Sequence, residues 1–110
     1  MTNKNYYELR CEAGSVHLSV DAIADLAANI ARETEGVADL AATTSGQTKG
    51  VLAQVGEQGC VLEVHIITVQ GLNMSSVAKN VQVKVKELLD SIAKVQIQEV
   101  NVFVDGVHAK

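Results

Sequence analysis

One stretch of the sequence decides the fold: Cys60-Val61-Leu62-Glu63-Val64-His65-Ile66-Ile67-Thr68-Val69. Its Val and Ile residues favour a β-strand, because branched side chains pack well on a pleated sheet. The stretch contains Glu63 and His65 and falls far short of the roughly 20 apolar residues that a membrane-spanning helix needs. Alternate side chains of a strand point to opposite faces, so the stretch predicts one apolar face and one mixed face. The predicted apolar face is formed by Cys60, Leu62, Val64 and Ile66.

The segments on either side predict a hairpin before this strand and a helix after it. Val51–Val55 reads as a strand, and Gly56–Gly59 has the length of a common hairpin loop. Beyond Gly71, a helix of roughly 18–20 residues begins at Asn73 or Ser75. Its apolar residues recur at helical spacing and are Val77, Val81, Val85, Leu88, Leu89 and Ile92. A last strand is predicted from Ile97 to Val104.

The amino-terminal half predicts a short strand followed by another amphipathic helix. Gly14–Ser19 alternates between polar and apolar residues, and Ser19 is a good N-cap for the helix after it. Gly36 ends that helix, because glycine readily adopts the left-handed conformation. The apolar stripe of the helix consists of Val20, Ile23, Leu26, Ala27, Ile30 and Ala31.

These segments predict the order β-α-β-β-α-β and an α+β fold. The fold is a two-layer sandwich with both helices packed on one face of a mainly antiparallel sheet. A ferredoxin-like strand order is expected, which places strand 14–19 beside strand 60–69. Residues 1–13 are predicted to form an N-terminal arm or an edge strand, and residues 14–110 a single domain.

The composition argues against several classes of function. The chain has 110 residues, a net charge of -4 and a pI of about 5.2, whereas nucleic-acid-binding proteins usually have a basic surface. Aromatic residues make up 3%, which is too few for a base-stacking platform. The sequence has two cysteines and begins without the apolar segment of a signal peptide. We therefore expect a cytoplasmic protein without direct membrane insertion.

The face of the sheet that the helices leave uncovered is the candidate binding site. Its predicted outward residues include more large apolar side chains than a solvated face needs, and such surface often marks a contact with another chain. The residues predicted to bind a protein partner are Leu52, His65, Ile67, Val69, Ile97 and Phe103. Two alternatives remain: residues 1–13 fold over this face, or β-propensity alone selects these residues.

A metal site is a rival hypothesis. His17 and His65 share the outward face by parity, and the expected strand order makes their strands neighbours, with Glu63 nearby. Two imidazoles and a carboxylate can bind Zn²⁺, so a small metal-binding protein or enzyme that uses His17 and His65 is the alternative function. Their spacing matches no known metal motif, and the sequence has no nucleophile elbow, P-loop or dinucleotide fingerprint. We therefore expect no enzymatic activity and no cofactor.

An RNA-binding module is the third hypothesis. Gly56-Glu57-Gln58-Gly59 matches the G-x-x-G loop of KH domains, which clamps a nucleic-acid backbone between helices. Here the loop joins two predicted strands and contains an acidic residue. A hairpin turn is therefore the preferred interpretation.

A series of short motifs is specific in its order and spacing. The motifs are Gly14–Ser19 followed by Ile23-Ala24, Glu35–Ala38, Lys49–Val51, Gly71–Asn73, Val77–Gln82 with Val85-Lys86, and Val100–Val107. Through these motifs the chain resembles the bacterial alkaline shock protein family, which consists of cell-envelope stress response proteins. The resemblance extends from about Gly14 to Val107.

The resemblance implies a non-enzymatic cytoplasmic protein that binds other proteins. Members of the family associate with the inner side of the cell membrane through an anchor protein, and some self-assemble. The implied partners are therefore a membrane-anchor protein and further copies of the chain in a homo-oligomer. The family has no known catalytic residues, so the resemblance assigns none to this sequence.

Overall fold

A computed structural model describes residues 6–41, 50–56 and 59–109, which form strands and two helices. In chain order the elements are β1 (Tyr6–Cys11), β2 (Gly14–Ser19), α1 (Val20–Glu33), β3 (Val37–Leu40), β4 (Val51–Gly56), β5 (Gly59–Val69), α2 (Met74–Ile92) and β6 (Ile97–His108). Both helices pack on one face of a mainly antiparallel sheet made of β3, β4, β5 and β6. The predicted α+β class is confirmed.

β5, the strand that decides the fold, uses both of its edges along most of its length. One edge pairs with β6 in parallel, from Cys60 to Val69. The other edge pairs antiparallel with β4 and then with β3. Between these two, the N–H of His65 donates to the carbonyl of Gly50 at 2.7 Å, and its carbonyl accepts from the N–H of Ala41 at 2.9 Å. β3 and β4 are therefore two halves of one interrupted strand, which the chain leaves after Ala41 and rejoins at Gly50.

The expected ferredoxin-like strand order is wrong. β2 pairs antiparallel with β1, from Tyr6 opposite Ser19 to Cys11 opposite Gly14, in a separate two-stranded sheet. Because β6 and the β3–β4 line occupy both edges of β5, no edge of β5 is left for β2. β2 also has little to bury, since only Leu18 among its residues is partly covered. The sequence interpretation also missed β3, a short strand with a polar residue at Asp39.

The helices begin where their capping residues indicate. The hydroxyl of Ser19 accepts a hydrogen bond from the N–H of Ala22 at 3.0 Å, which satisfies one free donor at the start of α1. The side-chain oxygen of Asn73 does the same for Ser76 at 3.1 Å at the start of α2. The inner stripe of α2 recurs every four residues at Val77, Val81, Val85 and Leu89. Leu88 and Ile92, which were predicted on this stripe, are exposed.

Gly36 fixes the close approach of the two helices. It has a φ of +95°, a conformation that side chains rarely adopt, and a Cβ atom there would lie 2.7 Å from Cγ2 of Val77. The turn after α1 can therefore pack against the first turns of α2 only with glycine at this position. This contact helps to hold both helices on the same side of the sheet.

Candidate functional site: the open face of the sheet

The face of the sheet opposite the helices is called the open face below. It is formed by Asp39, Leu52, Gln54, Val61, Glu63, His65, Ile67, Val69, Glu99, Asn101, Phe103 and Asp105. Both helices lie on the other side of the sheet, and the β1–β2 hairpin contacts α1. Among the elements that the structure describes, none packs across the open face.

The two faces of β5 follow the predicted alternation. Cys60, Leu62, Val64 and Ile66 are completely buried beneath the helices. The intervening residues Val61, Glu63, His65, Ile67 and Val69 are half-buried. Leu52 of β4 is also half-buried on the open face, and Phe103 of β6 is 44% exposed. The predicted outward orientation of Leu52, His65, Ile67, Val69 and Phe103 is therefore confirmed, while their role in binding stays a prediction.

Ile97 does not belong to the open face, and its predicted orientation is wrong. It pairs with Cys60 and is only 7% exposed, within the core. The cause is a register shift, because the next pair is Val61 with Glu99, which leaves Gln98 as an extra residue in β6. Because of this extra residue, Ile97 and Glu99 lie on opposite faces of the sheet, whereas simple parity places them on the same face.

His65 lies at the centre of a polar cluster on the open face. Its Nδ1 is 2.9 Å from Oδ2 of Asp105, and its Nε2 is 3.5 Å from Oε1 of Glu63. Its ring stacks on that of Phe103, with centroids 4.7 Å apart and planes 10° apart. The side chain of His65 is 19% exposed, so the cluster is partly screened from water. These contacts fix the orientation of the imidazole and engage both of its nitrogens.

A second register shift brings Asp105 into this cluster. Ile66 pairs with Val104, whereas Ile67 pairs with Gly106, so Asp105 is the extra residue of a bulge in β6. Bulges redirect side chains locally, and this one accompanies the contact between Asp105 and His65. Parity predicts that both residues lie on the same face. The local sequence does not reveal the bulge that accompanies this contact.

The structure separates the two histidines of the metal hypothesis. His17 lies on the β1–β2 hairpin, where its Nε2 is 3.8 Å from Oε2 of Glu8 and 3.3 Å from the hydroxyl of Ser15. His65 lies on the main sheet, whose strands do not pair with β2. No group of three or more His, Cys, Asp or Glu residues within the described ranges is arranged to hold a metal ion. The expected strand pairing that made this hypothesis plausible is therefore absent.

The charges of the described part of the molecule are segregated. β3, β4, β5 and β6 include four acidic residues on the open face, which are Asp39, Glu63, Glu99 and Asp105. These four strands have no Lys or Arg. Every described Lys and Arg lies on the hairpin, on a helix or in the turn after α2: Arg10, Arg32, Lys79, Lys84, Lys86 and Lys94. The open face is therefore both apolar and negatively charged.

Cys60 lies on the helix side of the sheet, in an environment that lowers the reactivity of its thiol. It is completely buried, and this burial raises the pKa of its thiol from an ordinary value of 9.0 to about 11. Because the thiolate is the reactive form, a buried and protonated thiol is a poor nucleophile and a poor redox centre. The position of Cys60 on the predicted apolar face of the strand agrees with this environment.

The fold and its open face define an α+β protein with helices on one side of the sheet only. The sequence model of the alkaline shock protein 23 family, described as having a cell envelope-related function, matches residues 8–109. The chain belongs to this family, which confirms the resemblance seen in its short motifs. None of the helices in the described residues has the length and apolar character needed to cross a membrane.

A comparison with solved structures supports the fold. The chain is similar to a MamM CTD variant in its manganese form, with a TM-score of 0.57 and 16% sequence identity. The match covers 78% of this chain and 96% of that one. At such low identity the likeness shows the fold alone. No curated protein sequence matches the chain.

Proposed function

We propose that this chain is a non-catalytic binding module of a cell-envelope stress response, which binds a protein partner through the open face. The observation that carries this proposal is the exposure of Phe103, a large apolar residue 44% exposed on the edge strand β6, on a sheet face that no described element covers. Half-buried Leu52, Ile67 and Val69 extend the apolar surface around it. Exposed apolar surface of this kind often marks a protein contact.

The polar cluster supports binding over catalysis. A general base needs a nitrogen that can reach a substrate, and both nitrogens of His65 face carboxylates of the same chain. Phe103 stacks on the ring of His65 and partly encloses it. The imidazole therefore acts as a fixed part of the binding surface.

The proposed partners are proteins, including a membrane-anchor protein that would hold this chain at the cytoplasmic face of the membrane. Further copies of the chain are also proposed partners. Two open faces carry charge of the same sign, and like charges placed across an interface disfavour association. Self-association would therefore bring the open face of one copy against another surface of the next, rather than face to face.

The test compares two substitutions of equally exposed apolar residues. Phe103→Asp changes the open face, and Val83→Asp changes the solvent side of α2, where Val83 is 43% exposed. Chemical crosslinking in the native cell, followed by mass spectrometry, measures the partners and copies that each variant retains. We expect Phe103→Asp to lose them and Val83→Asp to keep them. A folded Phe103→Asp protein with unchanged crosslinks would refute the proposal.

A further inference from the structure

The charge pattern of the open face indicates which charge a bound partner carries. This inference rests on the proposed function. Three carboxylates of the open face lie on its two neighbouring strands β5 and β6: Glu63 on β5, and Glu99 and Asp105 on β6. None of the described strands of the sheet supplies a Lys or Arg to balance them. The face therefore favours a partner with positive charge and disfavours an acidic one, which would meet repulsion.

The part of the face around Phe103 is suited to a planar cation. One face of the Phe103 ring stacks on His65, and the residue keeps 44% of its surface exposed. Asp105 follows two residues later on the same strand and uses Oδ2 to bind His65. Arginine can stack on an aromatic ring while its N–H groups bind a carboxylate, whereas lysine offers only a compact charge.

We infer that the open face binds a cationic, amphipathic segment of another protein, with an arginine of that segment stacked on Phe103 and donating to Asp105. Apolar side chains of the segment lie on Leu52, Ile67 and Val69. Its other basic residues lie near Glu63 and Glu99. The same charge pattern excludes nucleic acid and acidic peptides from this face.

The probes are three labelled peptides with the same apolar residues and with Arg, Lys or Glu at every charged position. Fluorescence anisotropy measures their binding to the full chain at about 50 mM and about 500 mM salt, since screening by ions weakens exposed charge pairs. We expect the Arg peptide to bind more tightly than the Lys peptide, and the Glu peptide to bind at least about tenfold more weakly than either. Affinity for the two basic peptides should fall as salt rises.

Two variants test the assigned residues. The double variant Glu63→Lys and Glu99→Lys should reverse the preference in favour of the Glu peptide. The matched control, Glu33→Lys with Glu87→Lys, makes the same change in net charge at exposed positions of the two helices, on the other side of the sheet, and should leave the preference unchanged. Phe103→Leu keeps an apolar residue but removes the ring, so it should abolish the advantage of Arg over Lys.

The results separate this inference from the proposed function. Equal binding of all three peptides, or equal effects of the two double variants, would overturn the inference that the partner is cationic. If Phe103→Asp still abolished cellular crosslinks in that case, the open face would remain a docking surface with a different partner. Self-association of the chain that the basic peptides fail to displace would make a second copy the occupant, and would also overturn the inference.

Discussion

The two faces of β5 carry residues of the same strand in very different environments. Cys60, Leu62, Val64, Ile66 and Thr68 have no exposed surface, whereas every residue between them is half-buried. The inner face is almost entirely apolar and packs against both helices. The open face combines apolar side chains with an oriented His65 and four carboxylates. The comparison indicates that the inner face supplies stability and that the open face is free to supply recognition.

The sharpest test of this comparison is a pair of leucine substitutions on opposite faces. Leu62 points inward on β5, and Leu52, on the adjacent strand β4, points outward. We expect Leu62→Ala to lower the free energy of unfolding by about 2–5 kcal/mol, because it leaves a cavity in a closed core. Leu52→Ala should cost about 1 kcal/mol, since its side chain already contacts water. Urea denaturation measures both, and equal losses would contradict the division between the faces.

The inner face could be predicted from the sequence because the buried residues of a strand recur at every second position. Alternation along residues 60–69 is enough to assign both faces of β5, and the capping roles of Ser19 and Asn73 are local. The pairing of β2 with β1 could not be predicted in this way. It depends on competition for the edges of β5, which is a property of the whole sheet.

The open face was predicted less completely because register shifts reverse or redirect side chains. Ile97 was expected to point outward, but the extra residue Gln98 places it in the core. The contact of Asp105 with His65 accompanies a second shift. Neither shift has a distinctive local signal in the sequence. Parity therefore placed Leu52, His65, Ile67, Val69 and Phe103 on the correct face, but it misplaced Ile97 and could not predict the contact between Asp105 and His65.

Because the thiol of Cys60 is buried on the inner face, the free energy of unfolding should depend on pH. Burial raises the pKa of Cys60 to about 11 in the folded chain, whereas the exposed thiol of the unfolded chain ionises near 9.0. Between these two pH values the unfolded state binds fewer protons than the folded state. The contribution of Cys60 to the free energy of unfolding is therefore constant below pH 9 and declines as the pH rises toward 11. Chemical denaturation from pH 8 to pH 11 measures this decline.

The control for this prediction is Cys60→Ala, because tyrosine and lysine also titrate in the same range. The wild-type chain should lose more stability than the variant as the pH rises, and below pH 9 the difference between the two should be constant. In a Cys11→Ser background, the thiol of Cys60 should also resist alkylation until the chain unfolds. A native chain that reacts as quickly as a denatured one would show that the thiol is not buried.

The smallest expected effect concerns the one inner position of β5 that is polar. Thr68 is completely buried, and its hydroxyl has no hydrogen-bond partner among the described residues. Burying a hydroxyl without a partner is unfavourable, so Thr68→Val should raise the free energy of unfolding by about 1 kcal/mol. Thr34→Val is the matched control, because the buried hydroxyl of Thr34 donates to the carbonyl of Ile30 at 2.9 Å. That variant should lose about 1 kcal/mol, and a loss of stability in both variants would show that Thr68 has a partner.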